Sequence, residues 1–117
     1  MFLEPYSRYT SDREADEGHP ANLLSQLTVT NIDTLKRVRG HLPADTAHKL
    51  QLRTYHAPLR FHITIIDESV AIVQFYLPAS RGTESPALVL RPTTTPPDLF
   101  SEFATVFHDA WATAKEV

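Results

Sequence analysis

Residues 95–114 constrain the fold more tightly than any other stretch of this chain. Thr95-Pro96-Pro97-Asp98 has the marks of a helix start. Thr95 can cap, proline suits the first turn because its missing N–H has no partner there, and Asp98 completes a capping box. Leu99, Phe103, Val106, Phe107, Ala110, Trp111 and Ala114 then recur at spacings of three and four, an apolar stripe along one face. Burying side chains of this size contributes about 1.5–3 kcal/mol each. The helix therefore needs a sheet to lie on, and Phe103, Phe107 and Trp111 are assigned to the core.

The sheet is announced upstream. Phe61-His62-Ile63-Thr64-Ile65-Ile66 reads as a strand, Asp67-Glu68-Ser69 as a turn, and Val70 to Leu77 as a second strand. The second strand is apolar at nearly every position, as expected when both faces are covered. After a loop from Pro78 to Pro86, which contains Arg81-Gly82, Ala87 to Arg91 reads as a further strand. Residues 21–30 carry two signals: Leu23, Leu24 and Leu27 suit a helical stripe, whereas Leu27-Thr28-Val29-Thr30 suits a short strand because its residues are largely β-branched, so a short helix running into a short strand is expected. The pattern Ile32, Leu35, Val38, Leu42 predicts a helix over 31–42, capped by Thr30 or Asn31 with Asp33 in a capping box. Lys36, Arg37 and Arg39 fall where the helix dipole favours cations, and Gly40 and Pro43 mark the end. His48 to His56 alternates like a strand. Strand, helix and strand in that order predict a βαβ unit with a right-handed crossover. The expected fold is α/β: a single small domain over residues 21–117, with a mixed sheet containing a β-hairpin and a βαβ unit, and a C-terminal amphipathic helix packed on it. Residues 1–20 hold too few apolar side chains to define a buried face and are expected to form a flexible N-terminal arm.

Composition narrows the function classes. With 117 residues, one core is expected. A formal net charge of −3 argues against direct nucleic-acid binding. In the arm, Tyr6, Arg8 and Tyr9 are suited to stacking on bases, but Glu4 and Asp12 flank them. The chain has no cysteine, which excludes disulfides, thiolate nucleophiles and thiolate metal sites. Six histidines are present, but none forms a His-Glu-x-x-His pattern, so no metal or other cofactor is expected. The first residues lack a signal peptide's basic start and apolar run, and no apolar stretch approaches the ~20 residues of a membrane span. The expected location is the cytoplasm.

Three stretches over residues 48–117 resemble the phospholipase D-like superfamily, most of all its degenerate bacterial members found beside DNA-binding domains in actinobacterial regulators. Leu50-Gln51-Leu52-Arg53-Thr54-Tyr55 resembles the strand before the family's active-site hairpin. Arg60 through Asp67, followed by Val70-Ala71-Ile72-Val73, resembles the hairpin. Phe100 through Trp111, ending in Ala112-Thr113-Ala114, resembles the closing helix. Active members carry His-x-Lys-x4-Asp on the hairpin, with His as nucleophile toward phosphorus and Lys binding the phosphate. Aligning Asp67 with the motif's Asp puts Arg60 where His belongs and His62 where Lys belongs. Arginine stays protonated and cannot attack, so the resemblance implies a domain without catalytic residues.

Arg60, His62 and Thr64 alternate with Phe61, Ile63 and Ile65 and so share one strand face. With Arg53 on the preceding strand and Asp67 in the turn, they are the candidate ligand-binding residues, a vestigial pocket for phosphate or carboxylate. The alternative is a solvated sheet end, with Arg60 paired to Asp67 or Glu68 and Asp67 serving only the turn. The expected function is a non-catalytic binding or regulatory module that recognises a small anionic ligand or a protein partner. Because the resembled family pairs two similar halves around one site, a homodimer is expected. Two other readings stay open: a phosphodiesterase or nuclease acting as a homodimer, and a structural subunit of a larger assembly.

Overall fold

The structure is a computed structural model and describes residues 1–78 and 82–117; Arg81 lies outside them. The chain divides into two compact units, Met1–Pro58 with Ala114–Val117, and Leu59–Thr113. The α/β class holds, as do the mixed sheet, the hairpin and a C-terminal helix packed on strands. The strands expected in one sheet, however, fall in two three-stranded sheets.

The first unit contains β1 (Phe2–Leu3), α1 (Arg8–Asp16), α2 (Leu23–His41), α3 (Ala44–Ala47), β2 (Arg53–Tyr55) and, from the end of the chain, β6 (Lys115–Glu116). Its sheet is mixed: β2 is central, parallel to β1 and antiparallel to β6. The expected arm over residues 1–20 is instead β1 and α1. Apolar content gave no sign of this because the buried residues there are polar: Ser7, Thr10, Arg13 and Glu14. Ser7 caps α1 by accepting from the Thr10 N–H, and the Thr10 hydroxyl donates to the Glu4 carbonyl at 2.7 Å.

The expected strand at 27–30 is also overturned, because it lies inside α2. Helix α2 accommodates these residues by returning hydroxyls to its own backbone. Thr28, Thr30 and Thr34 donate to the carbonyls of Leu24, Gln26 and Thr30 at 2.8–2.9 Å. The parallel partner of β2 is therefore β1, and the connection between them runs through α1, α2 and α3. The cap expected at Thr30 or Asn31 is replaced as well. Asn22 precedes α2 in a left-handed conformation with φ 67° and makes no side-chain cap bond. The Glu14 carboxylate takes that role, accepting from the backbone N–H groups of Asn22 at 3.0 Å, Leu24 at 2.7 Å and Ser25 at 3.4 Å. These are the orphan donors of a helix start, and a negative charge suits that end of the dipole.

The second unit contains β3 (Phe61–Ile66), β4 (Val70–Phe75), β5 (Ala87–Leu90) and α4 (Leu99–Thr113). The sheet is antiparallel in the order β3-β4-β5. Asp67 and Glu68 make the β3–β4 turn at positive φ, 51° and 52°, a conformation Asp tolerates better than most residues. Phe61, Ile63 and Ile65 face Phe75, Val73 and Ala71 across the hairpin and pack toward Phe100, Phe103 and Ala104 of α4. Phe61 sits edge-on to both Phe75 and Phe103. The buried stripe of α4 is thus rotated from the expected one: Phe100 and Ala104 are buried, whereas Leu99 and Val106 are exposed. Only one face of β4 is fully covered. Ala71 and Val73 are 0% exposed, but on the opposite face Ile66 and Val89 remain 46% and 65% exposed. Asp98, expected to complete a capping box from Thr95, is itself the cap. Its carboxylate accepts from the Phe100 N–H at 3.1 Å and the Ser101 hydroxyl at 2.6 Å.

Two outcomes follow for stability. Glu14→Ala leaves N–H groups at the start of α2 without an acceptor, and should cost about 1–3 kcal/mol in urea unfolding followed by circular dichroism. Asp98 is held below the usual carboxylate range, chiefly by the Ser101 hydroxyl bond. Its stabilising effect is therefore complete above the unfolded carboxyl's pKa and lost as pH falls through the lower folded one. Thermal midpoints of wild type and Asp98→Ala should differ at neutral pH and converge in acid.

Candidate functional site

Arg53 is the central residue of the candidate site, and its position follows from β2. Strand alternation sends Leu52 and Thr54 into the interior, where both are buried, and Arg53 to the other face, half-buried. A cleft of about 330 Å³ opens on that face, lined by Arg39, Ala47, His48, Leu50, Gln51, Arg53 and Glu116. Arg39 arrives from the last turn of α2, and its guanidinium donates to the carbonyls of Leu50 and Val117 at 3.5 and 3.4 Å. His48 follows α3, where tight turns carry the chain toward β2: the N–H groups of Lys49 and Leu50 donate to the carbonyls of Thr46 and Ala47. Glu116 stands on β6, directly opposite Arg53 in the register. Two arginines lining one cleft can hold a phosphate or carboxylate oxygen by charge-assisted hydrogen bonds, bidentate where the geometry allows.

Arg60, His62 and Asp67 belong to the second unit and Arg53 to the first. Within the second unit, His62 is exposed on the sheet face away from α4, and its Nδ1 lies 3.2 Å from Gln74 Oε1 on β4. Arg60 is exposed just before β3, and its carbonyl accepts from the Tyr76 N–H. Asp67 lies beyond the far end of β3, whose six residues span roughly 20 Å. The strand therefore separates Asp67 from Arg60, and the pair considered from sequence cannot form. Glu68, one residue further round the turn, is excluded in the same way.

Arg39 and His48 were not singled out from sequence. Arg39 sits among Lys36 and Arg37 as one of several cations near a helix end, and only the return of β2 and β6 past that end distinguishes it. His48 had no ligand spacing to mark it. Among the described residues, no three His, Asp or Glu side chains converge as a metal site requires, and no helix is long and apolar enough to cross a membrane.

Compared with known families, the sequence matches one described as Domain of unknown function (DUF5919), over residues 1–117. The chain belongs to the DUF5919 family. No curated protein and no solved structure matches it. Within this DUF5919 domain, the separation of Arg60 from Asp67 is open to a direct check. A double-mutant cycle of Arg60→Ala and Asp67→Ala, read by chemical unfolding, should be additive within about 0.3–0.5 kcal/mol.

Proposed function

We propose that this domain is a non-catalytic binding module that recognises a small anionic ligand through Arg53, Arg39 and His48. One observation carries the reading: an arginine from the end of α2 and an arginine from β2 line a single cleft together with a histidine. Guanidinium groups suit such a site because their planar donor forks match carboxylate and phosphate oxygens. The chain's net charge of −3 makes a local concentration of cations more telling than it would be on a basic protein.

The absence of turnover is part of the proposal, and chemistry supports it. Phosphoryl transfer through a covalent intermediate needs a nucleophile of suitable pKa placed in line with the leaving oxygen. On the hairpin that resembles the phospholipase D-like one, Arg60 offers charge but no attacking lone pair. His62 shares β3 with no cation, and Arg60 stands two residues away, just before the strand.

The test has two arms. Inorganic phosphate titrated into the full chain should shift the NMR resonances of Arg53, His48 and their neighbours. Arg53→Ala should weaken binding roughly tenfold or more, the loss expected for one charge-assisted hydrogen bond. Bis-(p-nitrophenyl) phosphate should not be hydrolysed above a buffer control. Turnover that disappears in His62→Ala would overturn the non-catalytic reading and restore a phosphodiesterase.

A further inference from the structure

We infer that the cleft selects zwitterions, small molecules in which an acidic group and an ammonium lie a few bonds apart, such as α-amino acids and aminoalkyl phosphates. This rests on the anion-binding role proposed above and adds the cationic half of the ligand.

The argument begins with register. Arg53 on β2 and Glu116 on β6 are directly paired across antiparallel strands. Their side chains therefore leave the sheet on the same face, with Cβ atoms about 4.5–5.5 Å apart. Both line the cleft, as does Arg39. Among the described residues, the lining thus presents two guanidinium groups and one carboxylate. A simple anion drawn to the guanidinium groups meets the Glu116 carboxylate within a few ångströms, where like charges repel. An ammonium on the same ligand turns that repulsion into a second ion pair and gives Glu116 a hydrogen-bond donor.

Position favours this role for Glu116. It is exposed and stands on a strand of two residues at the sheet edge, so it contributes little to the core and is available to a ligand. Arg39 is more constrained, because its guanidinium donates long hydrogen bonds to the carbonyls of Leu50 and Val117, at 3.5 and 3.4 Å. The acidic end of the ligand therefore meets a preorganised partner, and the ammonium end meets an adaptable one. A cleft of about 330 Å³ is at the small end of ligand sites, which suits a molecule the size of an amino acid. The competing account is that Arg53 and Glu116 serve only to neutralise each other.

Matched ligands separate these accounts. Aspartate would be compared with succinate, and O-phosphoethanolamine with ethyl phosphate, by NMR titration of the full chain at fixed ionic strength. In wild type, each amine-bearing member should bind roughly tenfold tighter than its partner, the scale of one charge-assisted hydrogen bond. In Glu116→Gln that advantage should fall to about twofold or less, while succinate and ethyl phosphate bind more tightly than before. Equal binding within each pair in wild type would overturn zwitterion selection and leave the anion site standing. An advantage that survives in Glu116→Gln would overturn the role of Glu116. If no ligand of either pair shifts the resonances of the cleft, the anion-binding reading fails, and this inference fails with it.

Discussion

A carboxylate at 4% exposure loses most of its hydration, and Glu14 recovers that loss only by accepting from the N–H groups that open α2. Much of the first unit's organisation follows from this contact. It fixes the end of α2 at which Ser25 lies fully buried, and the Ser25 hydroxyl accepts the Tyr6 N–H at 3.0 Å. Tyr6 directly follows the segment in which the Glu4 N–H donates to the Tyr55 carbonyl, extending the β1–β2 pairing. One buried charge is thus linked, bond by bond, to the strand that presents Arg53. Arg13 on the same helix and Glu17 just beyond its end add a buried ion pair at 2.7 Å that also engages His19.

The two units use opposite strategies. The second is held by apolar interdigitation of the β3–β4 hairpin with α4, with three phenylalanines meeting edge-on. The first has few buried apolar side chains, Ile32 and Leu52 among them, and relies on hydrogen bonds that place polar groups where apolar ones would ordinarily stand. Polar construction gives directional specificity, since each bond requires one partner in one orientation. Arg39 belongs to that construction, its guanidinium donating to two backbone carbonyls.

This contrast explains which features were legible in the sequence. Period-two alternation in Phe61–Ile66 and the helix signals after Pro97 report apolar burial, and those elements match closely. Helix α1 left no such trace, because Thr10, Arg13 and Glu14 are buried through polar bonds rather than through apolar packing, which leaves no hydrophobic period to read. The β-branched run Leu27–Thr30 was misread for a related reason: threonine's strand preference yields when its hydroxyl bonds back to its own helix. At the candidate site, Arg53 was visible as a cation on a strand. Arg39 and His48 became neighbours of that strand only through the fold, and no local pattern encodes such a meeting. The hairpin residues Arg60, His62 and Asp67 were grouped by motif spacing, yet a six-residue strand carries the last of them out of reach of the first.

The sheet of the first unit takes its strands from residues 2–3, 53–55 and 115–116. The whole second unit is therefore an insertion between two strands that pair with each other. During synthesis the ribosome delivers β1, α1, α2 and β2, then all of the inserted unit, and only afterwards the strand that completes the first sheet. Such long-range pairing is slow because a large loop must close before it forms. The inserted unit, by contrast, holds all its strands within one continuous stretch. Glu116 stands on the strand that follows the inserted unit, so both arginines of the cleft are made before the acid that comes to face them.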